Sequence, residues 1–347
     1  MSYYLSLIFY TALIAAVCLC AYAAQRSEKK GWLWLAVLLL SLAAGLRAES
    51  VGVDTASYVR LIRYCATVDY AYVSREYLIY GMGAVLYRLS GGSMAVPLTV
   101  YALITNGLIF ARFWDFRDRC SLTAVALFYC LYYYGSTMNG IRQFVAIAVV
   151  FFATRYLFSQ RYVKFYLLML LGCLFHYSTF VCCLLPVLSI GCRRRYPMRD
   201  FAVLSFSALT LLAIIPFCIN TYASYADNAT VSVGWINIVR AMVFFAVCLL
   251  GLRPIVLSGQ EDADCLGRTL SSVLLCICMV GFLCSFISKV SRAGYYFRFF
   301  ELLIYGMVLQ ERKIQLITRC LLASALLVLG IHCFTAYNSI IPYAFSF

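Results

Sequence analysis

The sequence predicts an all-α, polytopic helical membrane protein, and two observations support that prediction. The chain of 347 residues is 64% hydrophobic and only 12% charged, with a mean hydropathy of +0.89, whereas soluble domains are about 25% charged and about half apolar. Apolar runs long enough to cross a bilayer recur from end to end between short charged or Tyr/Gly-rich breaks. We therefore expect one membrane domain over residues 1–347, with about 10–12 transmembrane helices.

Basic loops predict the order and orientation of these helices. The first apolar run is followed, and not preceded, by its basic residues, so we interpret it as a retained span with its N-terminus outside. Lysine and arginine favour the cytoplasmic side, which predicts cytoplasmic loops at 25–30, 114–120, 159–164, 192–199 and 310–315. The corresponding spans are expected near 2–24, 31–46, 94–113, 121–135, 141–158, 201–219, 236–254, 269–288, 296–310 and 315–336.

Two segments do not fit a single crossing. Residues 75–92 hold only a short apolar stretch, interrupted by Arg88, which we place in the outer interface or as a re-entrant helix. Residues 164–191 are too long for one span whose two basic ends both face the cytoplasm. Two short helices that meet near His176 and Tyr177 solve this problem, and such a break is tolerated only inside a bundle or beside a watery cavity.

With these choices, the polar residues that are unusual for a membrane protein converge on the outer side. The segments predicted to lie there are 47–64, the tyrosine-rich 132–143, the apex at His176, and 288–298, joined by the loop 220–235. This convergence is the main functional signal in the sequence.

Two arginines at outer helix starts indicate an anion site. Arg142 lies in the first turn of a span that Asn139 could cap, where a cation opposes the helix dipole. Such a residue is favourable if an anion binds there, held by free N–H groups and by the guanidinium. Arg292 repeats the arrangement ahead of the span at 296–310. The alternative is that each arginine reaches the lipid headgroups.

Candidates for acid–base chemistry lie in the same outer segments. The stretch 54–65 predicts a short amphipathic helix with Tyr58, Leu61, Ile62 and Cys65 on one face, opened by Asp54. Asp54 is either a plain N-cap or a general base, and Glu76 is a weaker candidate for the same role. His176 is one of only two histidines, and a histidine inside a membrane marks function unless it is a satisfied packing residue.

Four motifs in order then show a family resemblance. They are R-x6-D-T-x2-Y at 47–58, N-x-I-R-Q at 139–143, K-F…F-H-Y-S at 164–178 and S-R-x2-Y-Y-F at 291–297. Over roughly residues 40–310 the chain resembles EpsG-like proteins, which belong with the Wzy-type polymerases of bacterial surface polysaccharides. The sequence departs from many relatives at Arg75–Glu76, where a Glu-Pro pair is common.

The resemblance implies a GT-C-like bundle in the bacterial cytoplasmic membrane and an active site on its outer, periplasmic face. The implied reaction transfers a growing glycan from undecaprenyl pyrophosphate to a sugar hydroxyl of an incoming lipid-linked oligosaccharide, as in capsule or O-antigen synthesis. Membrane lipids surround it, and a flippase and a chain-length regulator are the further partners suggested. Matching positions give Asp54 and His176 as catalytic residues and Arg47, Arg142 and Arg292 as pyrophosphate ligands, with Tyr58, Glu76, Asn139, Gln143 and Tyr295 as secondary candidates.

Several expectations accompany this interpretation. The outer tyrosines Tyr132, Tyr133, Tyr134, Tyr295 and Tyr296 could stack on sugars or form an interfacial belt. The 17 cysteines are odd in number, lie mostly in apolar runs and form no C-x-x-C pair, so we predict no metal and no cofactor. The net charge of +14 lies mostly in short loops, so no nucleic-acid partner is expected.

Three other functions remain open at this point. A transporter or flippase of the same lipid-linked glycan would also use broken helices and buried charges, although no convincing internal repeat is visible. A membrane O-acyltransferase acting through His176 is the second. A non-catalytic assembly partner is the third.

Overall fold

The computed structural model describes residues 1–68, 76–191, 235–252, 264–285, 291–312, 314–337 and 340–346. Within these ranges the chain is helical and contains no strand apart from an isolated bridge between Arg47 and Phe345. The all-α prediction is confirmed. The chain divides into two compact units, one of residues 1–152, 171–177 and 326–347, the other of residues 153–170 and 178–325.

The helices of the N-terminal half begin at residue 3. They are α1 (Tyr3–Ser27), α2 (Gly31–Gly45), α3 (Thr55–Thr67), α4 (Tyr77–Leu89), α5 (Ala95–Asp115), α6 (Leu122–Tyr129), a π-helical segment (Cys130–Tyr134), α7 (Gly135–Asn139) and α8 (Ile141–Phe158).

The helices that follow are interrupted by the ranges outside the described residues. They are α9 (Tyr162–Phe175), a 3₁₀ helix (Tyr177–Cys183), α10 (Leu184–Gly191), α11 (Trp235–Val247), a second π-helical segment (Cys248–Leu252), α12 (Asp264–Ser285), α13 (Ser291–Arg298), α14 (Glu301–Gln310) and α15 (Leu316–Tyr337).

Four of the described helices are long and apolar enough to cross a membrane: Tyr3–Ser27, Ala95–Asp115, Ile141–Phe158 and Leu316–Thr335. They coincide with four of the predicted spans and indicate a membrane protein. The spans predicted at 31–46, 236–254 and 269–288 correspond to α2, to α11 with its π-helical segment, and to α12, whose apolar stretches are shorter, at Gly31–Gly45, Trp235–Leu250 and Ser272–Ser285. The predicted span 201–219 and the loops 192–199 and 220–235 lie outside the described residues.

The predicted helix break near His176 is confirmed, because α9 ends at Phe175 and a 3₁₀ helix begins at Tyr177. The short helix predicted within 75–92 is also present, as α4. Residues 132–139 of the predicted outer segment are helical, since a π-helical segment carries α6 on into α7. One other prediction is wrong. The span predicted at 296–310 is broken near Phe300, which leaves α14 only 10 residues long.

The core of the first unit is closed by the packing of α2 against α5 and of α1 against α2 and α6. No room for a Cβ exists between Gly45 and Thr99, so the two backbones are in close contact. Asn106 on α5 donates to Ser41 Oγ at 3.1 Å and accepts from the Tyr129 hydroxyl at 2.6 Å. These buried bonds fix α2, α5 and α6 in one register.

Opposite ends of α1 mark two ends of this unit. At its start, the Met1 amine donates to the Tyr343 carbonyl at 3.1 Å, and Ala48 N donates to the Ala344 carbonyl at 2.7 Å. At its other end, the Gln25 amide donates to the Arg117 carbonyl at 2.7 Å. The chain termini and the loop after α2 therefore meet at one end, which we call the termini end.

Candidate functional site

A buried arginine ties together the helices at the termini end. Arg47 is 2% exposed and donates to the carbonyls of Ala44 and Met138, the latter at 2.9 Å, and to Thr55 Oγ1 at 3.4 Å. It therefore joins the end of α2, the end of α7 and the start of α3. With carbonyl and hydroxyl partners around its guanidinium, Arg47 holds the scaffold of the site, and its predicted contact with pyrophosphate stays a prediction.

The loop before α3 is fixed by a glycine and an asparagine. Val53 N donates to Asn139 Oδ1 at 2.8 Å. Gly52 has φ +91°, and a Cβ there would lie 2.5 Å from the same oxygen, so only glycine allows this approach. Asn139 is the last residue of α7, and α8 begins after Gly140, so the predicted cap of α8 by Asn139 is wrong. Its side chain instead positions the loop that leads to Asp54.

Helix α3 packs on α4 through the face that the sequence predicted, with one exception. Tyr58, Val59, Ile62 and Cys65 are buried, but Leu61 is 42% exposed, so its assignment to the buried face is wrong. Val59, which the sequence did not assign to this face, is buried instead.

A glycine on α4, Gly83, allows that close packing. A Cβ at Gly83 would lie 2.6 Å from the Tyr101 hydroxyl and 3.0 Å from Ile62, so this glycine lets α4 approach both α3 and α5. The packing positions Glu76 immediately before the first turn of α4.

The centre of the candidate site is a carboxylate shared by two basic side chains. Glu76 has a side chain only 2% exposed, and its two oxygens contact Arg142 Nη1 and His176 Nδ1. Because an ionised carboxylate can only accept, His176 donates from Nδ1 in this contact, and in the tautomer that has its single proton there Nε2 is the acceptor nitrogen. This is how a carboxylate orients a histidine for general base catalysis.

Two tyrosines hold the Arg142 guanidinium. Its Nε donates to the Tyr58 hydroxyl at 3.3 Å, and its central carbon lies 5.5 Å from the ring centre of Tyr58 and 5.8 Å from that of Tyr80. The side chain is nevertheless 35% exposed. Arg142 therefore presents a fixed, partly open cation at the start of α8, where helix N–H groups also favour an anion.

Asp54 borders this cluster through Tyr58. Burial raises the pKa of Tyr58, Arg142 lowers it, and the nearby Asp54 carboxylate raises it, so the Tyr58 hydroxyl stays protonated at neutral pH. Asp54 is the N-cap residue of α3, but its side chain makes no capping hydrogen bond. The plain capping role that the sequence allowed for Asp54 is therefore not what holds α3 in place.

The remaining predicted site residues are Gln143, Arg292 and Tyr295. Gln143 is buried beside Arg142. Arg292 is an exposed residue of α13 in the second unit, and Tyr295 of the same helix lies 4.9 Å beneath the Arg298 guanidinium. For Arg292 the anion-binding role stays a prediction.

Both roles that the sequence left open for the outer tyrosines, sugar stacking and an interfacial belt, are wrong for four of the five, because these four are buried. Tyr132, Tyr133 and Tyr134 are at most 3% exposed, and Tyr296 is 1% exposed. The Tyr132 and Tyr134 hydroxyls donate to the Leu326 and Leu40 carbonyls. Their rings fill the core because the segment is helical and surrounded by other helices.

Sequence reasoning ranked Glu76 too low and missed Tyr80. The absence of a proline after Glu76 weakened its case, yet the carboxylate lies between the arginine and the histidine that the same reasoning selected. The available signal was a lone carboxylate opening a short apolar outer helix. Among the described residues, no group of His, Cys, Asp and Glu side chains has the arrangement of a metal site.

Comparison with known proteins gives one match. The model of the family described as the EpsG family matches residues 30–345, which is nearly the whole chain. No curated protein and no solved structure shows significant similarity to the chain.

Proposed function

The chain belongs to the EpsG family of Wzy-like polysaccharide polymerases, and from this premise we propose that it extends a surface polysaccharide from lipid-linked repeat units. The donor is a glycan on undecaprenyl pyrophosphate, and the acceptor is a sugar hydroxyl of a second lipid-linked oligosaccharide. The observation that carries this proposal is the Glu76 carboxylate shared between His176 and Arg142. It supplies an oriented base and a fixed cation side by side.

The chemistry requires both groups. His176 Nε2 accepts the proton of the attacking sugar hydroxyl, whose oxygen forms a bond to the anomeric carbon of the donor glycan. The bond from that carbon to the pyrophosphate oxygen breaks, and the electron pair leaves with the pyrophosphate. Arg142 stabilises this developing charge. Glu76 positions His176 and keeps Nδ1 protonated, while Asp54 is the alternative base.

The outer, periplasmic location is part of the proposal. The site lies at the termini end. The other end of α1 contains Gln25, which donates to the Arg117 carbonyl, and Arg26, and it is followed by Lys29 and Lys30. Positive loops favour the cytoplasm, so this distribution supports an outer site in the cytoplasmic membrane. A cysteine at the exposed Ser57, with interfering native cysteines replaced, should react with impermeant maleimide from outside; labelling only from the cytoplasm would contradict this placement.

Synthesis by the purified protein tests the function directly. Supplied with undecaprenyl-pyrophosphate-linked repeat units alone, it should produce a ladder of longer glycans and release undecaprenyl pyrophosphate without ATP or a nucleotide sugar. Transport without new bonds would indicate a flippase, and acyl transfer without chain growth would indicate an O-acyltransferase.

Two substitutions identify the base. We expect His176→Gln to reduce chain growth by about two to four orders of magnitude at an unchanged protein level. Asp54→Asn keeps the shape of the side chain and should retain most activity if His176 is the base. The reverse pattern would assign the base to Asp54.

A further inference from the structure

A cavity of about 610 Å³ begins at Glu76 and extends along α4. Its volume is within the range of about 300–1,000 Å³ found for ligand sites. One wall is a stripe at helical spacing on α4, and the facing wall comes from α3 and the end of α9. The lining residues, apart from Glu76, are Tyr77, Leu78, Gly81, Met82, Ala84, Val85 and Arg88 on α4, Cys65 and Val68, and Cys173 and Leu174.

The shape and chemistry of this groove fit a single apolar chain. Its lining is apolar between Glu76 at one end and Arg88 at the other, a length of about 18 Å along the helix at 1.5 Å per residue. Tyr77, Val85 and Leu174 are each more than half exposed, so the groove is open along an apolar rim. Arg88 closes the far end, where its Nε donates to the Ala66 carbonyl at 2.8 Å.

The charges at the Glu76 end of the groove determine which lipid we assign to it. Arg142 does not line the groove itself, but it pairs with Glu76 at this end and its side chain is 35% exposed. An anionic head that lies beyond Glu76 would therefore meet a cation while its apolar tail enters the groove. We propose that the groove binds the isoprene units next to the head of a polyprenyl pyrophosphate. This inference rests on the proposed function, and it assigns the lipid half of the donor to α3, α4 and the end of α9.

Photolabelling tests the occupant. The purified protein in nanodiscs of phosphatidylethanolamine and phosphatidylglycerol is irradiated with a polyprenyl pyrophosphate that carries a diazirine near its head. We expect labelled residues within 77–88 or 173–174, and we expect unlabelled undecaprenyl pyrophosphate, but not excess phosphatidylglycerol, to compete. Equal competition by phosphatidylglycerol, or labelling spread over the exposed helices, would overturn the assignment.

A matched pair of variants makes the test specific. Met82→Trp fills the groove, whereas Ile8→Trp adds the same ring to an exposed position of α1. We expect about tenfold less labelling in Met82→Trp, since overfilling a site is costly. Ile8→Trp should be labelled as strongly as the wild-type protein. If Met82→Trp does not accumulate in the membrane, Gly81→Leu takes its place in the experiment. Full labelling of either variant in its folded form would contradict the proposal.

Chain growth separates this inference from the proposed function. Folded Met82→Trp should elongate glycans slowly from a C55 donor, whereas its elongation from a short-tailed donor should be less impaired. Normal elongation from the C55 donor would refute the groove while leaving the polymerase intact. Specific labelling of a wild-type protein that makes no polymer would refute the polymerase and leave the groove.

Discussion

Two carboxylate–arginine pairs in this protein differ in what surrounds them. In the first unit, the Glu76–Arg142 pair lies at the starts of two helices, shares its carboxylate with His176, and leaves the arginine side chain 35% exposed. In the second unit, the Arg240–Glu301 pair is 7% and 0% exposed, and the Tyr305 hydroxyl donates to the same carboxylate at 3.1 Å. We call them the open pair and the closed pair.

The difference separates chemistry from architecture. In a closed pair the two opposite charges neutralise each other inside the protein, so the two partners can be replaced together by uncharged residues with little loss. An open pair presents a cation and an oriented histidine to an incoming molecule, so uncharged replacements cannot restore what it does. The same two residue types thus predict opposite results in double substitutions.

The largest expected effect is at the carboxylate of the open pair. Glu76→Gln keeps the shape but loses the charge that orients His176, so we expect chain growth to fall by about two to four orders of magnitude with normal amounts of protein in the membrane. Adding Arg142→Met should restore nothing. Glu49→Gln is the control, because Glu49 forms an exposed ion pair with Arg63 at 2.6 Å. Polymer ladders on gels, normalised to protein, provide the measurement.

The closed pair should show the opposite pattern. Arg240→Met leaves Glu301 buried without its cation, which costs about 3–5 kcal/mol, so we expect little protein in the membrane. The double variant Arg240→Met/Glu301→Gln should recover the protein level and most chain growth, because the glutamine oxygen still accepts from Tyr305. Quantitative immunoblots measure the protein level, and thermal unfolding in detergent measures the stability. A folded but inactive double variant would show that the closed pair takes part in the reaction.

A smaller effect is expected when the cation of the open pair is kept but its shape is changed. Arg142→Lys cannot hold both the Tyr58 hydroxyl and the Glu76 carboxylate, since an ammonium lacks the planar fork. Loss of a charged hydrogen bond of about 1.5–3 kcal/mol predicts a decrease in chain growth of about 10- to 150-fold. Arg63→Lys serves as the exposed control. Full activity of Arg142→Lys would favour simple anchoring to lipid headgroups.

The smallest effect is expected at Tyr58. Tyr58→Phe keeps the ring against Arg142 and removes only the hydroxyl that accepts from Nε at 3.3 Å. A hydrogen bond to a charged group is worth about 1.5–3 kcal/mol, and this long one should lie at the lower end of that range, so chain growth should fall about 10-fold. Tyr64→Phe on the exposed side of α3 should change nothing. A loss at Tyr58 as large as that at Glu76 would assign its hydroxyl a direct role in proton transfer.

Much of the fold could be predicted because the membrane restricts it. Hydropathy and basic loops identify the spans at α1, α5, α8 and α15, since backbone groups in lipid must be satisfied within a helix. The break at His176 could be predicted because residues 164–191 are too long for one span, while the basic residues at both of their ends favour the cytoplasmic side. The GT-C-like arrangement and the outer location of the site stay predictions.

By itself, then, the sequence determined the class of the protein and pointed to Arg142 and His176, because charges in apolar runs are costly and therefore conspicuous. Only the tertiary structure decided that Glu76 rather than Asp54 joins them, that Arg47 is enclosed by carbonyls, and that the tyrosines at 132–134 fill the core. These outcomes depend on which helix faces meet, through close approaches such as those at Gly83 and Gly52. Residues from α3, α4, α8 and the end of α9 become neighbours through packing, and no local pattern in the chain records that.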